Sequence, residues 1–354
     1  MTTTSINEEK LNSLVGRAID DFGAIISSAL VRIGDKLDLY RTLKRVGPTT
    51  PQQLAEATGT NERYIRPWLI NQAAAGYVDY DTASARYSLS PEQAMVLADD
   101  DTPYSMAGGF ELLTSIIRDE PHITHAMRAG GGMLWGDHDE GLFTGTARFF
   151  KPGYVGNIVQ SWLPALDGVV SKLEKGGIVA DQGCGYGTST IIMAQAYPNS
   201  RFIGFDNHAP SIEAARKAAV EAGVDSRCSF EVATAQDFPG SDYDLITFFD
   251  CLHDMGDPPG AARRAREALK QDGTVMLVEP MAGDNPEDNF NVVGRLFSAA
   301  SVLVCTPHAV AEGGKAIGTI APDSQLKAIF DEAGYTRFRR ATETPTSRVF
   351  EARP

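Results

Sequence analysis

The chain has 354 residues, of which 43% are hydrophobic and 22% charged, a composition typical of soluble globular proteins. This length predicts two domains rather than one. The formal net charge of −14 and a pI near 4.9 disfavour nucleic acids and anionic membranes as partners, because their phosphates would repel the protein.

The cysteines and the apolar runs indicate a cytoplasmic protein. Four cysteines lack the paired short spacing of a zinc site or a disulfide framework: Cys184, Cys228, Cys251 and Cys305. The N-terminus has neither the basic nor the apolar region of a signal peptide. The longest uncharged apolar run, Leu296 to Ala311, is shorter than the about 20 residues that span a membrane. We therefore predict a cytoplasmic protein without a membrane partner and without a bound metal.

Residues 1–99 are predicted to form a winged-helix domain. Apolar residues recur at helical spacing over residues 12–46, which predicts long helices with an apolar face that needs a partner surface. One shorter helix should begin at Pro51 with Thr50 as its N-cap, and a second should follow Asn61. Two short strands are expected after them, over residues 77–80 and 86–89.

Residues 100–160 combine helical stretches with glycine-rich breaks, and we interpret them as a helical bridge and lid. They carry a set of aromatic side chains: Phe110, Trp135, Phe149, Phe150 and Tyr154. These side chains either line an apolar substrate pocket or belong to an ordinary core, and the sequence leaves both alternatives open.

Strands and helices alternate over residues 161–354, which predicts an α/β domain with a mainly parallel sheet covered on both faces. Seven strands are predicted, over residues 178–182, 201–206, 228–232, 243–249, 273–279, 337–342 and 347–352. The main helices are predicted over residues 188–197, 210–222, 259–270 and 324–333.

The glycine-rich stretch after the first of these strands predicts a nucleotide site. Gly183, Gly185 and Gly187 allow a tight turn and close approach of a ligand to the backbone. Asp206 ends the next strand, 206 − 183 = 23 residues after the first glycine, which is about the spacing of a ribose-binding carboxylate. A glycine-rich surface turn without a ligand is the alternative.

The acid that precedes the turn favours a cationic ligand. In a dinucleotide site the turn receives a pyrophosphate, which the negative charge of Asp181 would repel. S-adenosylmethionine has no phosphate and carries a sulfonium and an ammonium, both of which a carboxylate stabilises. We therefore predict S-adenosylmethionine as the cofactor.

Four motifs in order extend this prediction: residues 181–187, Asp206, residues 233–239 and residues 249–254. With them, residues 160–354 resemble the class I S-adenosylmethionine-dependent methyltransferases, whose fold is a Rossmann-like seven-stranded sheet. The N-terminal winged helix is similar to that of the dimeric small-molecule O-methyltransferases and of bacterial two-domain methyltransferases of unassigned substrate. The resemblance implies a homodimer in which the winged helix contacts the partner subunit rather than DNA.

The resemblance also implies site residues. Gly183 and Gly185 should approach the methionine part of the cofactor, and Asp206 should take the ribose hydroxyls with Asn207 close by. The adenine should meet Ala235, Gln236 and Asp237, and Asp250 belongs to the same cofactor site. Where the family often has Gly-Asp-Ala, this chain has residues 233–235 as Ala-Thr-Ala, so the adenine contact should depend on backbone groups and on Gln236 or Asp237.

His253 is the candidate catalytic residue. It follows the fourth strand, at the sheet edge where ligands of open α/β sheets collect. A neutral histidine can accept a hydroxyl proton while the oxygen attacks the methyl group, and His253-Asp254 resembles the His-Asp element of the O-methyltransferases, whose histidine is the base. Packing or substrate orientation is the alternative, and Glu279 either orients His253 or only caps its strand.

Other histidines offer weaker candidates. His122 and His125 can share a helical face and join His138 in a metal site, but no acidic or cysteine cluster completes the ligand set, which favours a surface or pocket position. His208 either packs near the adenine or lies in a solvated loop.

Two functions remain open from the sequence. The leading hypothesis is a homodimeric methyltransferase that acts on a hydroxyl, or less favourably an amine or thiol, of a small and partly apolar molecule. The alternative is a transcriptional regulator that binds DNA with the winged helix and senses the cofactor with the sheet domain. Between Pro48 and Ser90 three basic residues face four acidic ones, which disfavours contact with DNA phosphates.

Overall fold

The structure is a computed structural model and describes residues 6–354. The chain divides into two compact units, and the division falls between Thr114 and Ser115. The sequence-based division had three parts, with a bridge over residues 100–160. In the structure residues 100–114 belong to the N-terminal unit and residues 115–160 to the C-terminal unit.

The N-terminal unit has the predicted order of helix, turn, helix and hairpin. Its elements are α1 (Glu8–Lys36), α2 (Leu39–Val46), α3 (Pro51–Thr58), α4 (Glu62–Ala74), β1 (Asp79–Asp81), β2 (Arg86–Ser88) and α5 (Pro91–Leu97). Both predicted N-caps are confirmed: the Thr50 side chain accepts a hydrogen bond from the Gln53 backbone in a capping box, and the Asn61 side chain accepts one from the Arg63 backbone. The two strands of the hairpin are antiparallel.

The core of this unit packs α4 against the C-terminal part of α1. The indole nitrogen of Trp68 donates to the Leu30 carbonyl at 2.9 Å, and the ring packs on Tyr40 with centroids 5.2 Å apart. Gly34 lies against both rings, since a Cβ there would come within 2.7 Å of each. The N-terminal part of α1 contributes nothing to this core, because its large apolar side chains are exposed.

The C-terminal unit contains the predicted seven-stranded sheet. Its strands are β3 (Ile178–Gln182), β4 (Arg201–Asp206), β5 (Cys228–Val232), β6 (Tyr243–Phe249), β7 (Leu269–Pro280), β8 (Arg337–Glu343) and β9 (Ser347–Arg353). Their order in the sheet is β5-β4-β3-β6-β7-β9-β8. The first five are parallel, and β9 is antiparallel to both of its neighbours. The α/β fold class predicted from the sequence is confirmed.

Helices cover both faces of the sheet. After α6 (Ala107–Ile116) they are α7 (Glu120–Ala129), α8 (Gly141–Asn157), α9 (Val169–Lys175), α10 (Thr188–Ala196), α11 (Ala209–Glu221), α12 (Pro258–Ala268), α13 (Val292–Ala300), α14 (Thr306–Ala311) and α15 (Asp323–Glu332). Consecutive strand residues serve opposite faces: Val179 belongs to one apolar cluster and Ala180 to the other. Burial on both faces explains why the central strands are apolar throughout.

One stretch, Val292–Ala311, is long and apolar enough to span a membrane by length and composition alone. It comprises α13, a π-helical turn and α14. Phe297 and Val304 on this stretch are buried within the protein. We therefore assign it to the packing of the C-terminal unit.

Candidate functional site

A cavity lies at the carboxyl ends of β3, β4 and β6, where Gly183, Asp206 and Asp250 follow or end the strands. This is the edge at which parallel sheets bind ligands. Its empty volume, including the part open to solvent, is about 1110 Å³. The lining residues are Trp135, Phe143, Thr146, Ala147, Phe150, Tyr154, Gly183, Cys184, Gly185, Tyr186, Thr188, Ser189, Asp206, Asn207, Ser211, Ala233, Thr234, Ala235, Gln236, Phe249, Asp250, Cys251, Asp254, Met255, His308 and Glu312.

The glycine turn after β3 forms one wall of the cavity. Gly183 has φ +62° and Gly185 has φ +52°, both in the left-handed region that favours glycine. A Cβ on Gly183 would lie 2.8 Å from the sulfur of Cys251, whereas one on Gly185 would meet no protein atom within 4 Å. The turn therefore needs glycine at residue 183 for packing, and at residue 185 it leaves open space beside the backbone.

Asp181 does not line this cavity, contrary to the predicted direct contact with the cofactor. Its carboxylate is fully buried and accepts hydrogen bonds from the hydroxyls of Ser189, Thr190 and Thr247 at 2.6 to 2.7 Å. Burial raises its pKa, while the three hydroxyl donors oppose that shift. Asp181 thus joins β3 to the first turn of α10 and to β6, and its carboxylate is buried away from the cavity lining.

Asp206 is placed at the cavity as expected of a ribose ligand. One carboxylate oxygen accepts from the Gly185 N–H at 2.9 Å, and the other accepts from the His208 N–H at 2.8 Å. Burial raises its pKa, and these two backbone donors lower it. Each oxygen retains a lone pair for a ligand hydroxyl. Asn207 also lines the cavity.

The residues predicted to meet adenine lie at the same cavity. Ala235 and Gln236 line it, and the Gln236 side chain donates to the Asp257 carbonyl at 3.3 Å. Asp237 is absent from the lining because its carboxylate caps the turn, accepting from the backbone and hydroxyl of Thr234. Of the two side chains considered for the adenine contact, the structure brings only Gln236 to the cavity.

Asp250 immediately follows β6 and lines the cavity. Its Oδ2 accepts from the Tyr154 hydroxyl at 3.0 Å, whereas its Oδ1 is buried without a hydrogen-bond partner among residues 6–354. Burial first, and the negative charge of Glu279 second, raise the pKa of Asp250 to about 7. For the Tyr154 hydroxyl, burial first and the negative charge of Asp250 second raise the pKa well above 10.

His253 lies beside the cavity but outside its lining. Its Nδ1 faces Glu279 Oε2 at 2.5 Å and its Nε2 faces Asp254 Oδ1 at 3.1 Å. Burial alone lowers its pKa, but the two carboxylates outweigh burial and raise the pKa well above 6.5. Its Nδ1 is hydrogen-bonded to Glu279, while Asp254 Oδ1 makes no hydrogen bond among residues 6–354 although it lies near Nε2. Because His253 lies outside the cavity lining, this arrangement favours orientation and packing over the predicted role as base, with Glu279 hydrogen-bonded to His253.

Aromatic side chains form another wall of the cavity. Phe150 and Tyr154 stack with centroids 5.7 Å apart and an interplanar angle of 17°, and Tyr154 also packs on Phe249. Trp135 lines the cavity as well, and Phe149 packs edge-on against Phe150. Phe110 is an exception to the predicted set: it packs on Tyr77 in the core of the N-terminal unit.

Among the lining residues that the sequence did not predict, His308 and Glu312 carry ionisable groups. His308 accepts a hydrogen bond from the Trp135 backbone, and Glu312 accepts one from the Gly256 backbone at 2.8 Å while its other oxygen lies 3.4 Å from Asn207. Both residues lie on or just after α14, 56 to 173 residues along the chain from the residues that they contact. The sequence carries no motif that marks them.

The histidines considered for a metal do not gather ligands. Within the described range 6–354, the side chains whose ligand-type atoms lie within 4.8 Å of one another are His253, Asp254 and Cys305. In this cluster His253 Nε2 lies 3.1 Å from Asp254 Oδ1, an ion-pair distance that accounts for their proximity without an ion. His138 is instead buried against Asp119, with Nδ1 2.7 Å from the carboxylate.

Comparisons with known proteins agree with this site. A family described as a methyltransferase domain matches residues 173–333, and an Rv2258c-like winged HTH domain matches residues 25–99. Mitomycin biosynthesis 6-O-methyltransferase from Streptomyces lavendulae is 26% identical over 264 residues, which cover 69% of this chain and 71% of that protein.

Two solved structures share the fold. A putative O-methyltransferase from Nostoc punctiforme PCC 73102 has a TM-score of 0.72 at 22% identity and covers 96% of this chain and 98% of its own. Human N-acetylserotonin methyltransferase, solved in complex with S-adenosylmethionine, has a TM-score of 0.73 at 17% identity and covers 100% of this chain and 99% of its own.

The residues at the cavity fit S-adenosylmethionine. The empty space beside Gly185 admits a ligand against the backbone, and Asp206 offers carboxylate oxygens. Among residues 6–354, the side chains that line the cavity include aspartate and glutamate but no lysine or arginine. Such a lining suits a cation and repels a pyrophosphate. With the matched methyltransferase domain and winged HTH domain, the chain is a class I S-adenosylmethionine-dependent methyltransferase with an N-terminal winged helix.

Proposed function

We propose that this protein transfers a methyl group to a hydroxyl of a small, partly apolar molecule. The observation that carries the proposal is that one cavity has both a polar wall and an aromatic wall. The glycine turn and Asp206 form a polar wall suited to a nucleoside, and Phe150, Tyr154 and Phe249 supply an aromatic wall beside it. A pocket that is mostly apolar with a few placed polar groups is typical of small-molecule sites.

The polar wall assigns the cofactor contacts in this proposal. Gly183 and Gly185 lie along the methionine part, Asp206 holds the ribose hydroxyls with Asn207 next to it, and the turn of Ala235 and Gln236 contacts adenine. Asp250, at the end of β6, lies towards the reacting methyl group. Bound there, S-adenosylmethionine supplies an electrophilic methyl group on a sulfonium.

The hydroxyl as acceptor is supported by the mitomycin biosynthesis relative, whose name describes an O-methyltransferase. At 26% identity, the name of this relative supports a hydroxyl as the acceptor group but does not identify the acceptor molecule. Alignment of the acceptor and the methyl group in a closed pocket supplies most of the rate, since effective molarity lowers a barrier by several kcal/mol without an acid or a base. His253, held between Glu279 and Asp254, positions the loop after β6.

We also propose that the protein is a cytoplasmic homodimer that pairs through α1. Eight large apolar side chains of α1 and that of Leu37, which follows it, are exposed; the eight are Leu11, Leu14, Val15, Ile19, Phe22, Ile25, Ile26 and Ile33. An exposed apolar face of this length is typical of a protein interface, and a second copy of the same helix offers a matching surface.

The regulator alternative has less support. In α4 Trp68 and Leu69 are buried, and the Arg66 guanidinium pairs with Glu62 rather than standing free for phosphate. With four acidic residues among the seven charged side chains of Pro48–Ser90, this surface does not attract DNA.

The proposal is tested by following a labelled methyl group. S-adenosylmethionine labelled in its methyl carbon is incubated with the protein and with naphthol, naphthylamine and naphthalenethiol, which share one skeleton, and with a fractionated extract of small metabolites. We expect labelled methyl ethers by mass spectrometry, and much less label with Asp206→Asn at a cofactor concentration below the dissociation constant of that variant. Label only on amines or thiols would contradict the hydroxyl assignment. Specific DNA binding without any labelled product would favour the regulator.

A further inference from the structure

We propose that Asp250 accepts the proton of the methyl acceptor and that the Tyr154 hydroxyl fixes its carboxylate in place. This inference rests on the proposed transfer to a hydroxyl and adds a catalytic residue to it. It assigns to Asp250 the role that the sequence gave to His253.

The backbone holds Asp250 at the cavity. Its N–H donates to the Val278 carbonyl of the neighbouring strand β7 at 2.9 Å, which fixes the residue at the strand end. Its φ is +50°, a left-handed conformation that residues other than glycine adopt at a cost of roughly 1 kcal/mol or more. Such strain persists where the surrounding structure imposes it, and in this fold it falls where a parallel sheet carries its chemistry.

One oxygen of the Asp250 carboxylate is hydrogen-bonded, and the other has no hydrogen-bond partner among residues 6–354. Oδ2 is held by the Tyr154 hydroxyl, which is anchored in turn by the packing of its ring on Phe150 and Phe249. Oδ1 is buried and lacks a partner among residues 6–354. A buried polar atom without a hydrogen bond costs free energy, so a ligand that brings a hydroxyl donor to Oδ1 is favoured.

The charged surroundings keep this carboxylate basic. Tyr154 faces it from α8, Glu279 from β7, and His253 and Asp254 from the turn after β6. Burial and Glu279 raise the pKa of Asp250 to about 7, although His253 and the Tyr154 hydrogen bond oppose the shift. A group with this pKa near neutral pH is matched to general-base work. His253 lies outside the cavity lining, with its Nδ1 hydrogen-bonded to Glu279.

The proton transfer balances within the cavity. The acceptor oxygen forms a bond to the methyl carbon, the carbon–sulfur bond breaks with its electron pair remaining on sulfur, and the acceptor proton passes to Asp250 Oδ1. One positive and one negative charge disappear together, leaving a neutral thioether, a neutral methyl ether and a neutral carboxylic acid. A cavity that excludes water favours this loss of charge, because ions are the species that burial penalises most.

The first experiment needs no acceptor. Calorimetry of S-adenosylmethionine and S-adenosylhomocysteine binding at pH 7, in buffers of different ionisation enthalpy, counts the protons released by each ligand. The two ligands differ in the sulfonium, which stabilises the charged form of a facing carboxylate. In the parent we expect S-adenosylmethionine to release up to about half a proton more, since a group with pKa near 7 is half protonated at that pH.

Asp250→Asn should abolish this difference while S-adenosylhomocysteine still binds within a few-fold of the parent. Asparagine has nearly the same shape and tolerates the left-handed backbone, so the variant is suited to fold. Asp225→Asn, an exposed site on the same unit, should leave the difference unchanged. Equal proton release by both ligands in the parent would mean that Asp250 does not face the sulfonium and would overturn the proposal.

The second experiment uses an acceptor found by the labelled-methyl assay. Asp250→Asn should lower kcat by about 10²–10⁴-fold and remove the rise of rate with pH through about 7, and Tyr154→Phe should shift that rise. A kcat within tenfold of the parent, or an unchanged pH profile in the folded Asn variant, would refute the base role. Failure to find any acceptor would count against the proposed function, while the proton count would still decide the placement of Asp250.

Discussion

Three aspartates at the ends of neighbouring strands differ in role because their hydrogen-bond donors differ. Asp181 is surrounded by three hydroxyls of its own chain and has no access to the cavity. Asp206 takes two backbone N–H groups and retains lone pairs at the cavity. Asp250 has a single phenolic donor, which leaves one oxygen for a ligand. Asp181 is the penultimate residue of β3, Asp206 the last of β4 and Asp250 the first after β6, so all three lie within one residue of a strand end and differ in the donors that they meet.

Asp206 is expected to carry much of the cofactor affinity. Replacing it by asparagine removes the charge that strengthens hydrogen bonds from the ribose hydroxyls, a loss of about 1.5–3 kcal/mol. Calorimetry should therefore show S-adenosylhomocysteine binding weakened by about 10- to 100-fold in Asp206→Asn. Asp225→Asn makes the same change of net charge at an exposed site and should bind as the parent does. An affinity within twofold of the parent, in a variant with an unchanged melting temperature, would rule out the ribose contact.

His253 is expected to act on stability, with a defined pH dependence. Its folded-state pKa is raised above the unfolded value near 6.5, so its contribution is fully present below pH 6.5 and is lost as pH rises through the folded pKa. The pKa of Asp254 is lowered, and its contribution is lost only in acid. Breaking a buried pair costs about 3–5 kcal/mol, so His253→Gln should be destabilised by that amount at pH 6.

Urea unfolding of the parent and of His253→Gln over pH 6 to 9 checks this expectation. The difference in free energy of unfolding should fall by about 1.4 kcal/mol per pH unit while the folded histidine is charged and the unfolded one is neutral. His122→Gln, at an exposed position of α7, is the matched control and should show no such slope. A difference that is independent of pH would mean that His253 is neutral in the folded protein.

At the scale of elements, α1 exposes a long row of large apolar side chains. Only Ser27, Val31 and Gly34 of its 29 residues are buried, all in the C-terminal half. The exposed apolar side chains lie on a different face from these buried ones, as helical periodicity requires. The helix therefore has one apolar face for its own unit and a second face without a described contact.

Charge placed on that second face should dissociate the proposed dimer. Phe22→Glu together with Ile26→Glu puts two carboxylates where two copies would pack, and burying unpaired charge is strongly unfavourable. Light scattering should report a dimer for the parent and a monomer for the double variant. Arg17→Glu, on the opposite side of α1, should remain dimeric. A parent that is monomeric at micromolar concentration would contradict the interface.

At the scale of the whole molecule, charge and topology act together on the cavity. The parallel order of β4, β3 and β6 brings the carboxyl ends of three strands to one edge, so that Asp206, Asp250 and the glycine turn share a cavity. Glu312 and Asp254 add further acids to the lining, in a chain whose net charge is −14. Local and global fields therefore both attract a cationic ligand and disfavour phosphorylated ones.

The local chemistry of the fold was readable from the sequence. The caps at Thr50 and Asn61, the five parallel strands and the presence of two terminal strands follow from capping residues, periodicity and turn signals, all of which act over a few neighbouring residues. The antiparallel pairing of β9 with its neighbours was not predicted. Gly183 and Asp206 were predicted at the site because a motif and a strand end fix their place along the chain.

Tertiary structure alone decided which way each side chain faces and what it meets. Asp181 accepts hydrogen bonds from hydroxyls on α10 and β6. Phe110 packs in the N-terminal unit, whereas the other aromatic residues of the predicted set lie in the C-terminal unit. His253 meets Glu279 across 26 residues of sequence, and that contact raises the pKa of the imidazole. The motifs specify residue types at strand ends. Protonation and partners depend on burial and on groups distant in the chain, which only the packing of the sheet brings together.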